Sequence, residues 1–299
     1  MMADVDRNCE GHIRMNSPTG GTQRSEQKPA TAARMYDFYL GGVHNFQADR
    51  QAAQTVIDQF PVVPAVARNN RAFLGRAVRF LAEAGVRQFL DIGSGIPTAG
   101  NVHEIAQAAA PDARVVYVDI DPVAVAESLE ILHGNDRATA IRGDLREPQA
   151  ILGHSEVRRM LDFTTPTALI LAAVLHFVPD DTQAFGLVDH LVAELPTGSY
   201  LVISHGAAET FALSDERTAA AREVYTQRTT TAGKPRPRAQ VERFFAGRCQ
   251  LVDPGVTWAP EWRPAPGDPA DFADDTRRSG MWAGVGQLMA MPTTGQPAT

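Results

Sequence analysis

Three aspartates, Asp91, Asp119 and Asp144, each stand at or just past the end of a short apolar run, and the first run opens into a glycine turn. The stretch reads Gln88-Phe89-Leu90-Asp91-Ile92-Gly93-Ser94-Gly95-Ile96-Pro97-Thr98. Glycine lacks a Cβ, so such a turn lets backbone N–H groups approach a ligand closely. A carboxylate at its mouth repels a phosphate and suits a cation. Asp91 is expected to order the turn and face the positive end of a ligand. Asp119 is expected to accept hydrogen bonds from ribose hydroxyls, and Asp144 one from an adenine amino group. S-adenosylmethionine, a nucleoside carrying a sulfonium and an ammonium group, meets all three demands. Each aspartate alone reads equally well as a helix cap or turn residue. Together, at successive strand ends, they favour a nucleoside site at the carboxyl edge of a sheet.

Other chemistries fit less well. A dinucleotide fingerprint places a third glycine where Thr98 stands after Pro97, and Asp91 would oppose the pyrophosphate. A nicotinamide enzyme is therefore the weaker reading, although Asp119 would serve either cofactor. No lysine of a triphosphate-binding loop follows the turn. Gly93-Ser94-Gly95 is not a hydrolase elbow. Ala172-Ala173-Val174-Leu175-His176-Phe177 follows the fourth apolar run, where a reaction pocket is expected. His176 is the candidate catalytic residue, as general base or substrate contact. A structural histidine beside the sheet end is the competing reading, and His205 is a second candidate base. His103, beside Glu104, reads as a solvated surface residue, and His44 tempts similarly. Trp258, Trp262 and Trp282 read as pocket lining or as rim packing. The basic loop Lys234–Arg238 reads as solvated.

Alternating elements must position these groups. Residues 1–30 are polar and read as a disordered tail. Ala32–Ala84 carries helical periodicity, with Gly85 as its stop and the aromatic run Tyr36–Leu40 broken by Gly41-Gly42. Strands are predicted at Gln88–Ile92, Arg114–Val118, Ala138–Arg142, Ala168–Ala172 and Tyr200–Ser204, and later at Cys249–Val252 and Gly284–Met289. Helices are predicted at Asn101–Ala110, from Pro122 to about His133, and at Thr182–Leu195. The stretch from Ala207 to Ala232 reads as helical and polar. Apolar strands alternating with helices mean a parallel sheet covered on both faces.

Composition narrows the function classes. The 299-residue chain is 44% hydrophobic and carries a formal net charge of −7. A bulk-acidic chain is a poor binder of phosphate backbones, so no duplex nucleic acid is expected. Its two cysteines, Cys9 and Cys249, form no zinc spacing, so no metal is expected, and they fit a reducing cytoplasm. No apolar run reaches the ~20 residues of a membrane span, so no membrane partner is expected.

The residues also resemble a family. Ala33-Arg34-Met35-Tyr36-Asp37 with Leu40-Gly41-Gly42, Asn70-Arg71-Ala72-Phe73-Leu74, Gln88–Thr98, Tyr117-Val118-Asp119-Ile120-Asp121-Pro122, Asp144-Leu145-Arg146 and Leu175-His176-Phe177-Val178 are similar to a bacterial family of S-adenosylmethionine-dependent methyltransferases. That family was long catalogued as a domain of unknown function. The resemblance spans roughly Ala32 to Leu288. It implies an α/β class I methyltransferase (Rossmann-like) fold: a doubly wound, mostly parallel seven-stranded sheet, its last strand antiparallel, with an N-terminal helical lid. The implied organisation is a tail at 1–30, a lid segment at 31–85, a cofactor domain at 86–290 with a helical insertion at about 207–248, and a tail at 291–299. The implied cofactor is S-adenosylmethionine, with Gly93, Gly95, Asp119 and Asp144 in its site. Asp91, Ser94, Ile120, Leu145, Ala172, Val174, Tyr36 and Gly41 complete the expected cofactor set. Val43 and His44 depart from the family, where a lysine and an acidic residue commonly follow the glycine pair. The expected activity is methyl transfer to an unidentified, small-molecule acceptor. The alternative is a cofactor-binding protein that does not turn over.

Overall fold

The run Gln88–Ile92 is buried along its whole length, as a strand in the middle of a covered sheet must be. The computed structural model describes residues 29–97, 100–212 and 233–290. In it this run is β1, joined by β2 (Arg114–Asp119), β3 (Ala138–Arg142), β4 (Ala168–Ala172) and β5 (Tyr200–Gly206), all parallel. β6 (Cys249–Leu251), β7 (Thr257–Trp258) and β8 (Met281–Leu288) are antiparallel additions. The order is β3-β2-β1-β4-β5-β8-β6, with β7 beside β8. The sheet has eight strands rather than the expected seven. The extra one, β7, is two residues long, too short to carry an alternating pattern. β8 begins at Met281, earlier than expected, because Met281, Trp282 and Ala283 pair with the last residues of β5.

The chain builds outward from β1 through β2 to β3 and then returns to lay β4 on the other side of β1. That reversal is the switch point at which doubly wound sheets hold ligands. Helices α4 (Val102–Ala109), α5 (Pro122–Ile131), α6 (Pro148–Leu152), α7 (Ser155–Met160) and α8 (Asp181–Ala193) make the crossovers. α9 (Ala208–Ala212) and α10 (Arg238–Arg243) follow β5. Most of the stretch expected to continue helical after Ala212 lies outside the described residues, as do Thr98, Cys9 and both tails beyond 29–290.

The long helical region before β1 is three helices: α1 (Ala32–Tyr39), α2 (Gln47–Gln59) and α3 (Val63–Glu83). α1 and α2 share a small apolar cluster of Met35, Tyr39, Ala52, Ala53 and Val56, to which α3 adds Ala67. α3 belongs to the main core: Phe73, Leu74, Ala77, Val78 and Leu81 cover one face of the sheet. Trp262 is fully buried there, edge-on to Phe73 at 5.4 Å and to Phe80 at 6.0 Å between centroids. Arg76, nearly buried, donates to the carbonyls of Trp262 at 2.7 Å and Ala259 at 2.6 Å and pairs with Asp268. No helix among the described residues is long and apolar enough to cross a membrane.

Candidate functional site

Three of the expected cofactor residues meet at the end of β1. Gly93 and Gly95 both take left-handed backbone, at φ 76° and 63°. At Gly93 a neighbour excludes a side chain as well, whereas at Gly95 the backbone angle alone favours glycine. A Cβ at Gly93 would overlap the Val174 side chain. A Cβ at Gly95 would find only the methyl of Ala33, at 4.0 Å, leaving space beside the turn. The turn is held by β2 rather than by Asp91, as expected from sequence. The Gly93 and Ser94 N–H groups donate to the Val118 carbonyl at 2.7 and 3.2 Å. The Gly95 N–H donates to Asp119 Oδ2 at 2.8 Å, and the Asp121 N–H to Asp119 Oδ1 at 2.9 Å. Each carboxylate oxygen of Asp119 keeps a second lone pair for another donor.

Asp91 is 2% exposed, and its carboxylate accepts no hydrogen bond from a described residue. Burial pushes this carboxyl up to about 7; the Arg71 charge pulls it down and that of Asp119 pushes it further up. Burial also raises Asp119, against the pull of the Asp121 and Gly95 N–H groups. Burial without a fixed donor keeps this carboxyl high even with the Arg71 charge acting on it. Ile120, next to Asp119, is 51% exposed, an apolar surface at the strand mouth on which a flat ring can rest. Leu145 is buried in the main core. Asp144 is half-buried and engaged by its own turn: it accepts the Arg146 N–H at 2.9 Å and pairs with the Arg146 guanidinium at 2.5 Å. That pairing holds its carboxyl below the usual carboxylate range.

β4 delivers the other side. Ala172 ends the strand, and Ala173 takes left-handed backbone at φ 53°, its N–H held by the Ser204 carbonyl and Oγ, each at 3.0 Å. A non-glycine residue there carries roughly 1–3 kcal/mol of strain, which accumulates at functional edges. The next turn presents Val174 and a half-buried His176. The Nδ1 of His176 is buried with no partner among the described residues. Burial, helped by the nearby Arg236 charge, lowers its pKa to about 4. His205 is fully buried. Its Nδ1 lies 2.9 Å from the Gly206 carbonyl and its Nε2 3.0 Å from the Arg236 guanidinium. Arginine only donates, so Nε2 accepts and Nδ1 carries the proton. Both nitrogens are engaged, and burial together with His176 lowers this pKa to about 3. His205 is not an available base.

The basic loop is solvated only in part: Lys234 and Arg238 stay 41% and 52% exposed, whereas Arg236 between them turns inward. Arg236 is fully buried and also donates to the Leu175 and Val178 carbonyls, at 3.1 and 2.8 Å, and pairs with Asp181 at 3.0 Å. It therefore clamps the turn that carries His176. Lys234 pairs with Asp181 as well, at 2.9 Å. His103 is likewise buried rather than solvated; its N–H and Nδ1 meet the Tyr117 hydroxyl at 2.9 and 2.8 Å. Of the tryptophans, Trp262 is core, while Trp258 and Trp282 stack at 3.6 Å on the far side of β5 from β4.

α1 reaches the turn through Ala33, and the residues after it are held locally. Tyr36 donates to the Ala67 carbonyl at 3.1 Å and accepts from Asn70 at 2.9 Å. Gly41 is exposed just past α1. Gly42 passes so close to Asp37 that any Cβ would overlap its carboxylate. Val43 is 82% exposed, and His44 lies 3.5 Å from Glu127 on α5. Sequence reasoning gave no role to Arg71, Asp121, Asp49 or Arg236; Arg71 and Asp121 lay within the quoted family stretches, whereas Asp49 and Arg236 carried no local signal.

Comparison with known proteins agrees with this geometry. A family model described as S-adenosyl methyltransferase matches residues 19–289. A solved DUF574 family protein from Streptomyces avermitilis is 39% identical, with a TM-score of 0.80, covering 87% of this chain and 97% of that one. A Thermobifida fusca protein, assigned as a methyltransferase, is 37% identical, with a TM-score of 0.77, covering 92% and 100%. Among curated proteins none matches. The open glycine turn, the buried Asp91 and the exposed Ile120 fit S-adenosylmethionine, the cofactor, and the chain belongs to the S-adenosyl methyltransferase family.

Proposed function

We propose that this protein transfers a methyl group from S-adenosylmethionine to a small-molecule acceptor at the edge between β1 and β4. When bound, the cofactor supplies an electrophilic methyl whose departure leaves a neutral thioether. Little proton chemistry is then needed, and the chain's contribution is to orient, to neutralise and to exclude water. In this reading Asp91 faces the cationic end, Asp119 holds the ribose and Ile120 supports the base. The observation that carries the proposal is Asp91: a buried carboxyl beside an open glycine turn at the switch point, with no donor of its own among the described residues.

His176 is assigned as a neutral contact to the acceptor rather than as its base, since its pKa of about 4 leaves it unprotonated and weakly basic near neutrality. The acceptor must then arrive already nucleophilic. The same suppressed basicity favours one rival, a cofactor-binding protein that does not turn over. A cytoplasmic location, and partners other than duplex nucleic acid or membrane, belong to the same proposal and rest on charge and cysteine usage.

Calorimetric titration with S-adenosylmethionine, beside NAD and an Asp119→Ala variant, tests the cofactor site. Micromolar binding, lost in the variant and absent for NAD, is expected. Release of S-adenosylhomocysteine over a panel of amines, phenols and carboxylates then tests turnover. Binding with no product from any acceptor would leave the non-catalytic reading standing.

A further inference from the structure

α1 is attached to the cofactor site by a buried ion-pair network. Arg34, 2% exposed, places Nε 2.8 Å from Asp49 on α2 and Nη1 2.7 Å from Asp121 at the start of α5. Asp121 Oδ2 also accepts the hydroxyl of Thr31, the N-cap of α1, at 2.7 Å. Its other oxygen caps α5 by accepting the Val123 N–H at 2.9 Å. Asp49 is filled in turn by the Thr31 and Phe46 N–H groups at 3.1 and 2.8 Å.

The network runs straight into the nucleoside contacts. The Asp121 N–H donates to one oxygen of Asp119, and the Gly95 N–H to the other. Ala33 of α1 stands over Gly95. A shift of Asp121 therefore moves Asp119, and a shift of α1 uncovers the turn. The apolar cluster of α1 and α2 does not need this pair, because Met35, Tyr39, Ala53 and Val56 pack among themselves and on Ala67. The grip of α1 on the β2–α5 mouth is polar, through Thr31 and Arg34. Buried ion pairs are costly to desolvate and weak as net stabilisers, and fixing one arrangement among several is their better-attested use.

We propose that Arg34 and Asp121 are positioning residues for the cofactor: their ion pair latches α1 over the glycine turn and holds Asp119 in its binding geometry. This rests on S-adenosylmethionine being the cofactor. The test uses the full chain with S-adenosylmethionine as probe, in Asp121→Asn, Arg34→Met and Arg34→Lys variants. Calorimetry reads affinity, stopped-flow fluorescence reads the two rates, and a thermal melt reads folding.

Folded Asp121→Asn and Arg34→Met proteins should bind about tenfold more weakly, with faster dissociation and no slower association, as expected when the closed state is less populated. Arg34→Lys, which keeps the charge, should recover part of the loss. A purely structural role would lower the melting temperature and leave the dissociation constant of the folded fraction unchanged; that result overturns the latch. If Arg34→Met does not fold, Asp121→Asn, which keeps the size and the cap, decides by the same criterion. Failure of the wild-type protein to bind would overturn the cofactor reading and the latch with it. Wild-type binding with unchanged variants would overturn the latch alone.

Discussion

In the proposed site, Asp91 would couple cofactor binding to a proton. Its folded pKa of about 7 lies above the ordinary 3.8, so the folded state holds this proton after the unfolded chain has lost it. Its contribution to stability is accordingly greatest below 3.8 and falls as pH rises towards about 7. Cofactor binding has the opposite slope, because a cation prefers the ionised carboxylate. Affinity for S-adenosylmethionine should climb as pH passes through about 7, with proton release visible as a buffer-dependent calorimetric enthalpy. Asp91→Asn should flatten that dependence and weaken binding about tenfold or more, the size of one pKa unit of interaction. The histidines predict a contrast. His176 and His205, lowered to about 4 and about 3, should show no ring titration by NMR above pH 5.5 or so. His205 should keep its proton on Nδ1. A titration of His176 near neutrality would restore it as a candidate base.

Among the elements, the two turns that meet at the switch point depend on each other. Gly93 takes left-handed backbone and leaves no room beside Val174. Gly93→Ala should cost about 1–3 kcal/mol by denaturant melt, from backbone strain and overpacking. Val174→Ala in the same chain should recover the overpacking part only. The turn after β4 is held from outside by Arg236, buried and joined to Leu175, Val178, Asp181 and His205. Arg236→Met should destabilise by about 2–4 kcal/mol, since it leaves the buried Leu175 and Val178 carbonyls without donors while Asp181 keeps Lys234. The β1 turn was readable in the sequence because glycine and aspartate state their local geometry. The Arg236 clamp was not, because its partners lie 61 and 58 residues away, and a lone arginine between prolines reads as surface.

For the molecule as a whole, the helices before β1 are divided between two tasks. α3 is core, while α1 and α2 pack mainly in a separate small cluster. Trp262, fully buried between Phe73 and Phe80, ties α3 to the loop before β8. Trp262→Ala should cost about 3–5 kcal/mol in a thermal or denaturant melt, as large aromatic truncations in cores do. If the cost is below about 1 kcal/mol, the range of exposed substitutions, that loop is dispensable for α3. By itself the sequence determined the parallel strands, the glycine turn and the aspartates at the strand ends, while the class I methyltransferase architecture followed from the resemblance to a family. Those signals are local: an apolar run of five residues means a covered strand, and Gly-Ser-Gly after it means a close approach. Only the tertiary structure decided which charges are buried. Arg34 meets Asp121 across 87 residues, His103 finds Tyr117, His205 finds Arg236, and the extra strand β7 forms against β8. Each depends on where the crossovers set their elements down, and burial, not residue type, turns an arginine or histidine that reads as surface into part of the packed structure.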